Sequence, residues 1–204
     1  MRNRLDGMKE MANIGTGYAA TALSSLLGAN VVMDVPAARY LCMAELPRFR
    51  FAEDEEIAAV YAPLGGELSG GMFFMATTKA AAAFSAYLLE EKLKLKPHVF
   101  AASELAQSAF QEVGNLLIGA YLTALSKLTD LKCYPLVTEL SIDLASAVLA
   151  EGALHLIDDE ECIVMETDIC LPQSTQPLDG LLLFIPDKNA SVTLTQALEA
   201  SCHD

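Results

Sequence analysis

An internal repeat constrains the fold of this chain more than any other feature of the sequence. The segment that begins at Asp6, DGMKEMANIGTGYAATALSSL, aligns without a gap on the segment that begins at Ser108, SAFQEVGNLLIGAYLTALSKL. The offset between them is 102 residues, half of the 204-residue chain. A match of this length at a fixed offset predicts that the chain contains two copies of one structural unit.

Further segments extend the repeat and indicate what each copy contains. The segment from Ser69, SGGMFFMATTKAAAAFSAYLL, and the segment from Leu178, LDGLLLFIPDKNASVTLTQAL, both read as a glycine, an apolar strand, a polar turn and a helix. Apolar patterns predict four more strands, at 30–41, 55–64, 132–137 and 162–171. Segment 140–154 fits either a helix or a strand.

These elements predict an α+β fold, built as a single pseudo-two-fold symmetric domain over residues 1–204. The two repeats are expected at about 1–97 and 98–204. Each repeat would contain a long motif-bearing helix, antiparallel strands in a shared sheet and a closing helix. Segment 92–104 is the one plausible hinge, and we expect it to run straight into the second long helix.

The charge balance and the cysteine pattern exclude several classes of function. The chain has 13 basic and 27 acidic residues, a formal net charge of −14, which repels nucleic acid and anionic membranes. Five scattered cysteines and three distant histidines lack the spacing of a disulfide framework or a zinc centre. We see no signal peptide, and Lys79 interrupts the most apolar later stretch. We therefore expect a cytoplasmic protein with reduced thiols.

Each long helix carries the same pattern of polar residues: an acidic or hydroxyl residue, a glutamate four positions later, and an asparagine three positions after that. Residues at these spacings lie within about 60° of one another on a helix and form one polar stripe. The first motif consists of Asp6, Glu10 and Asn13, and the second motif consists of Ser108, Glu112 and Asn115. The opposite side of each helix is apolar and is expected to be buried.

Asparagine and glycine are poor helix residues, so their presence in these helices needs a reason. Four glycines are expected to let the helices pack closely against neighbouring elements: Gly15, Gly17, Gly114 and Gly119. An asparagine amide both donates and accepts hydrogen bonds, so it can hold a water in a fixed orientation, although it is not a strong base. Phosphoryl transfer with a loose transition state is a chemistry that suits such a group.

The spacing resembles the signature of the CheC, CheX and FliY phosphatases of bacterial and archaeal chemotaxis: Asp or Ser, three residues, Glu, two residues, Asn and, further on, Pro. Asp6, Glu10 and Asn13 match this signature, and Pro36 follows after a further 22 residues. The second motif matches the helical part again, but Pro135 comes early, so the loop after the second helix is expected to differ. Two intact motifs in one chain favour the CheC type.

The resemblance implies an aspartyl-phosphate phosphatase that acts on phosphorylated CheY, the response regulator of chemotaxis. Glu10 and Glu112 would each engage a lysine of the regulator, and Asn13 and Asn115 would each orient the attacking water. Mg²⁺ would be held by CheY, and this chain would bind no cofactor or metal of its own. The receptor deamidase CheD is a second implied partner. Two motifs in one chain make an obligate dimer unnecessary, so we expect a monomer.

Three other interpretations stay open at this stage. Asp6 and Ser108 could be helix N-caps. The asparagines could bond neighbouring backbone in a purely structural repeat, which predicts buried amides and a loss of stability on replacement by alanine. The same stripes could also serve a non-catalytic adaptor that binds CheY-P or CheD without hydrolysing the phosphate.

Overall fold

The computed structural model describes residues 2–42, 45–46, 49–89, 96–153, 161–172 and 177–201. The helices are α1 (Arg2–Leu27), α2 (Thr78–Leu88), α3 (Pro97–Ala102), α4 (Glu104–Thr129), α5 (Ala145–Ala153) and α6 (Lys188–Ser201). The strands are β1 (Val32–Cys42), β2 (Glu56–Gly66), β3 (Gly70–Thr77), β4 (Cys133–Pro135), β5 (Glu139–Leu144), β6 (Glu161–Cys170) and β7 (Leu178–Pro186). His155, Cys202 and His203 lie outside the described residues. Among the described helices, none is long and apolar enough to cross a membrane.

In the described part of the chain, seven strands form one sheet in the order β1-β6-β7-β3-β2-β4, with β5 also paired with β2. The paired strands are antiparallel throughout. The two glycine-led strands, β3 and β7, lie side by side at the centre. The predicted α+β fold, with a shared antiparallel sheet in one domain, is confirmed. Segment 140–154, which fits either a helix or a strand, contains both, since β5 leads directly into α5.

Strands from the two halves of the chain exchange partners across the sheet. The first-half strand β1 pairs with β6 of the second half, and the second-half strands β4 and β5 pair with β2 of the first half. A duplication with two-fold symmetry would produce this order. The duplication itself and the repeat boundaries stay predictions.

Side-chain and backbone caps define where α4 begins and ends. The hydroxyl of Ser103 accepts a hydrogen bond from the Ala106 amide at 3.3 Å, which caps the first turn. The helix ends at Thr129 and is followed by the C-cap residue Asp130, whose φ of 59° is left-handed. The N-cap interpretation is therefore wrong for Ser108, which lies inside α4, and for Asp6, which lies inside α1. Segment 92–104 contains the short α3, and its last residue, Glu104, begins α4, as expected. Residues 92–95 lie outside the described residues.

Both faces of the central strands are buried, and one face of the sheet carries the motif helices. In β2, Val60 faces a core that includes Phe74 and the apolar sides of α1 and α4. The neighbouring Ile57 and Ala59 face a second core on the other side of the sheet, which α5 helps to cover. Strands that are covered on both faces read as continuous apolar runs. The motif helices therefore pack on one buried face of the sheet.

Candidate functional site

The first motif lies on one exposed face of α1. Asp6, Glu10 and Asn13 are all exposed. Met8 and Met11 alternate with them in sequence, yet are only 0% and 2% exposed because they pack into the core. The amphipathic pattern thus holds the three polar side chains towards solvent as one stripe.

The second motif lies on α4 and is less open. Ser108 and Glu112 are exposed, whereas Asn115 is half-buried. Within the described part of the chain, the Asn115 Oδ1 atom is buried and has no hydrogen-bond partner. Leaving a buried acceptor unpaired costs about 1–3 kcal/mol. A donor that reached this carbonyl oxygen would therefore remove that free-energy cost.

Neither asparagine has the surroundings that a purely structural role predicts. That interpretation requires buried amides bonded to neighbouring backbone, but Asn13 is exposed. Asn115 is partly buried, but its Oδ1 is unpaired among the described residues. A structural asparagine is expected to satisfy its buried carbonyl.

The two motif helices contact each other through residues outside the motifs. The hydroxyls of Thr16 and Tyr121 lie 3.0 Å apart, and Lys127 Nζ donates to the Tyr18 hydroxyl at 2.8 Å. The same ammonium lies 4.6 Å from the centroid of the Tyr18 ring. Burial raises the pKa of Tyr121 to about 12, so its phenol stays protonated and able to donate. Each motif is thus assembled within its own helix, and the helix pair is fixed by these contacts.

The four glycines that the sequence analysis considered in the motif helices divide into two kinds. A Cβ at Gly15 would lie 2.5 Å from the Tyr121 ring, and one at Gly114 would lie 2.6 Å from Val60. The predicted close packing is therefore confirmed at Gly15 and Gly114. It is wrong at Gly17 and Gly119, where an added Cβ would meet nothing within 4 Å. The sequence pattern cannot separate the two kinds, because close approach depends on elements that are distant in the chain.

The segments that follow the two helices differ, as the position of Pro135 indicated. Pro36 lies in β1, at a register shift between Asp34 and Ala37. Thr138 occupies the equivalent position in the second half, 102 residues later. There, Gln111 Nε2 donates to the Thr138 carbonyl at 3.0 Å and lies 3.2 Å from its hydroxyl. This tether between α4 and the β4–β5 loop was missed from sequence, because it joins residues whose proximity depends on the path of the loop.

The arrangement supports a limited chemistry. Each stripe offers a carboxylate that can attract a cationic side chain and, one turn later, an amide that can hold a water. Among the described residues, no group of three His, Cys, Asp or Glu side chains is placed to hold a metal ion. The groups that the stripes provide can bind and orient a reactant.

Two solved structures define the class of fold. The chain resembles FliY of Thermotoga maritima with a TM-score of 0.75 and 18% identity, covering 98% of each chain. It also resembles a chain of the CheX-CheY-BeF3-Mg²⁺ complex from Borrelia burgdorferi, with a TM-score of 0.53 and 12% identity, over 86% of this chain and 97% of that one. The fold is therefore that of the FliY and CheX class.

Sequence comparison narrows this class to a family. A CheC-like family model matches residues 105–137, which include the whole second motif. The chain is also 35% identical over 199 residues to the CheY-P phosphatase CheC of Bacillus subtilis (strain 168), covering 97% of this chain and 95% of the relative. The chain belongs to the CheC-like family.

Proposed function

We propose that this protein is a phosphatase that hydrolyses the aspartyl phosphate of CheY-P. One observation carries the proposal: two glutamate-asparagine stripes lie on a pair of packed helices in a chain that is 35% identical to a CheY-P phosphatase. Both glutamates and Asn13 are exposed, and Asn115 is half-buried. The Borrelia burgdorferi complex, in which CheX is bound to CheY, supports a CheY-like partner for this fold.

The stripe residues have separate roles in the proposed reaction. Glu10 and Glu112 attract a lysine of the regulator, since both carboxylates are exposed one turn before the asparagine. Asn13 and Asn115 orient a water beside the acyl phosphate. CheY holds the Mg²⁺, and this ion neutralises charge at the phosphoryl group. CheD is a second proposed partner, and we propose that the protein works as a cytoplasmic monomer.

The hydrolysis needs no covalent intermediate on this chain. The water oxygen forms a bond to phosphorus while the bond from phosphorus to the aspartyl oxygen breaks. The bonding electrons pass to the leaving carboxylate, and both protons of the water remain with the released phosphate, which leaves as dihydrogen phosphate. A loose transition state requires little proton abstraction, so an amide that places the water is sufficient.

The test is the decay of radiolabelled CheY-P with wild type, Asn13→Ala, Asn115→Ala and the double variant. We expect wild type to accelerate decay and each single variant to keep the activity of its unchanged site. The double variant should lose about 100-fold or more of the acceleration. Unfolding curves should stay close to wild type, because Asn13 is exposed and the Asn115 carbonyl is unpaired. No acceleration with a cognate CheY, with or without CheD, would instead favour the adaptor.

A further inference from the structure

Gly17 and Gly119 occupy equivalent places beside the two asparagines. Each lies four residues after its asparagine, which is about 6 Å further along the helix and about 40° around it. They therefore continue the polar stripes of α1 and α4. Gly17 is exposed and Gly119 is half-buried.

Neither the backbone nor the packing explains a glycine at these two positions. Positive φ values occur at other described glycines, such as Gly28, whereas Gly17 and Gly119 lie within continuous helix. An added Cβ would contact nothing within 4 Å at either position. Glycine weakens a helix relative to alanine, so the fold alone would favour alanine here.

The next residue along each stripe is a threonine, which also has a short side chain. The Thr21 hydroxyl donates to the Gly17 carbonyl at 2.8 Å, and the Thr123 hydroxyl donates to the Gly119 carbonyl at 2.8 Å. Each threonine hydroxyl is therefore bonded within its own helix. The same pair, a glycine and a threonine whose hydroxyl is bonded to the carbonyl of that glycine, follows both asparagines. Each asparagine is therefore followed, along its stripe, by helix surface without a long side chain.

We propose that Gly17 and Gly119 are positioning residues that let the surface of the phosphorylated regulator lie directly on each motif helix, an inference that rests on the proposed phosphatase function. An asparagine side chain is short, so its amide reaches a recessed acyl phosphate only when the partner approaches the helix closely. A side chain one turn away on the same stripe would hold a rigid protein surface off by its own height. The glycines thus set the distance between the amide and the phosphoryl group.

The experiment uses full-length variants in which one site works at a time. With Asn115→Ala only the first site is active, and Gly17→Gln should lower kcat/KM for CheY-P by about tenfold to a hundredfold. With Asn13→Ala only the second site is active, and Gly17→Gln should leave kcat/KM unchanged. Gly119→Gln should show the reciprocal pattern. Misfolding would affect both backgrounds, so this crossover identifies a local effect on docking.

Two controls separate docking from structure. Ser25→Gln adds a larger polar side chain at an exposed position on α1, about 80° around the helix from Gly17, and should leave activity unchanged. Gly17→Ala should raise the midpoint of thermal unfolding by about 2–4 °C while lowering first-site activity. A residue with only a structural role would not lower activity while raising stability.

A binding measurement keeps the two proposals distinguishable. CheY activated with BeF3 and Mg²⁺ is titrated against wild type and the Gly17→Gln, Gly119→Gln double variant, and we expect about tenfold weaker binding by the variant. If wild type accelerates CheY-P decay but the glycine variants bind and hydrolyse normally, the glycine proposal is wrong and the phosphatase stands. If wild type binds CheY without accelerating decay, the phosphatase proposal is wrong, and a weaker-binding variant still supports glycine-dependent docking. Equal binding overturns the glycine proposal.

Discussion

Asn13 on α1 and Asn115 on α4 stand at equivalent places in the sequence, but their surroundings differ. Asn13 is exposed and Asn115 is half-buried. The turn before Asn115 is tethered through Gln111 to the β4–β5 loop, whereas the residue equivalent to Gln111 in the first half is the exposed Lys9. The comparison shows that the residues proposed to act on the phosphate are repeated, while the Gln111 tether beside the second asparagine is not.

A difference in the packing beneath the helices accompanies this difference in exposure. Gly114 lies so close to the sheet that a Cβ there would be 2.6 Å from Val60. The equivalent residue of the first half is Ala12, whose side chain is accommodated in the core at 3% exposure. The second helix therefore depends on a glycine where the first does not.

The largest expected effect concerns Tyr121, which serves both sites by joining the helices. Its folded pKa is about 12 against an ordinary value of 10.0, so the unfolded chain loses the phenolic proton first. The free energy of unfolding should therefore fall as the pH rises from about 10 to about 12, by about 3 kcal/mol in all. Tyr121→Phe should lack this component in denaturant titrations at several pH values. Parallel curves for the two proteins would show that Tyr121 titrates normally.

The next effect should separate the two sites. Gly114→Ala makes the second helix match the first at this position, but its methyl group would collide with Val60. We expect a loss of about 1–3 kcal/mol in the free energy of unfolding, measured with urea. Activity in the Asn13→Ala background should fall more than activity in the Asn115→Ala background. An equal fall in both would mean that the strain spreads through the helix pair.

A smaller effect should come from the tether of the second site. Gln111→Lys introduces the residue found at the equivalent position 9 and removes the amide that donates to Thr138. We expect a stability loss of about 0.5–1.5 kcal/mol and a lower second-site kcat/KM with CheY-P. Lys9→Gln is the matched control in the first half and should change neither quantity appreciably. Unchanged second-site kinetics in Gln111→Lys would limit the tether to a structural role.

The smallest effect should come from the exposed contact between Lys127 and Tyr18. Lys127→Met keeps a long apolar side chain but removes the hydrogen bond and the charge above the ring. We expect a loss of about 0.5–1 kcal/mol that is weakened by added salt. Both sites should keep the same ratio of activities. A change in that ratio would indicate that this contact supports one site more than the other.

The sequence predicted most of the fold because local patterns define the main helices and strands. The stripes at Glu10 and Asn13 follow from helical spacing, and the glycine-led strands follow from continuous apolar runs. The roles of Gly15 and Gly17 could not be separated, since only the position of Tyr121 distinguishes them. Nor could the sequence predict the Gln111 tether, because it depends on how the β4–β5 loop folds back against α4.

The exchange of strands between the halves has a further consequence. Because β1 pairs with β6 and β5 pairs with β2, neither half contains a complete set of sheet partners. Two identical half-length chains could make the same pairings only as an intertwined dimer, and every substitution would then appear in both stripes at once. A single covalent chain removes that restriction, so each stripe can acquire its own substitutions. The difference in exposure between Asn13 and Asn115 is one that two identical, symmetrically paired subunits could not have.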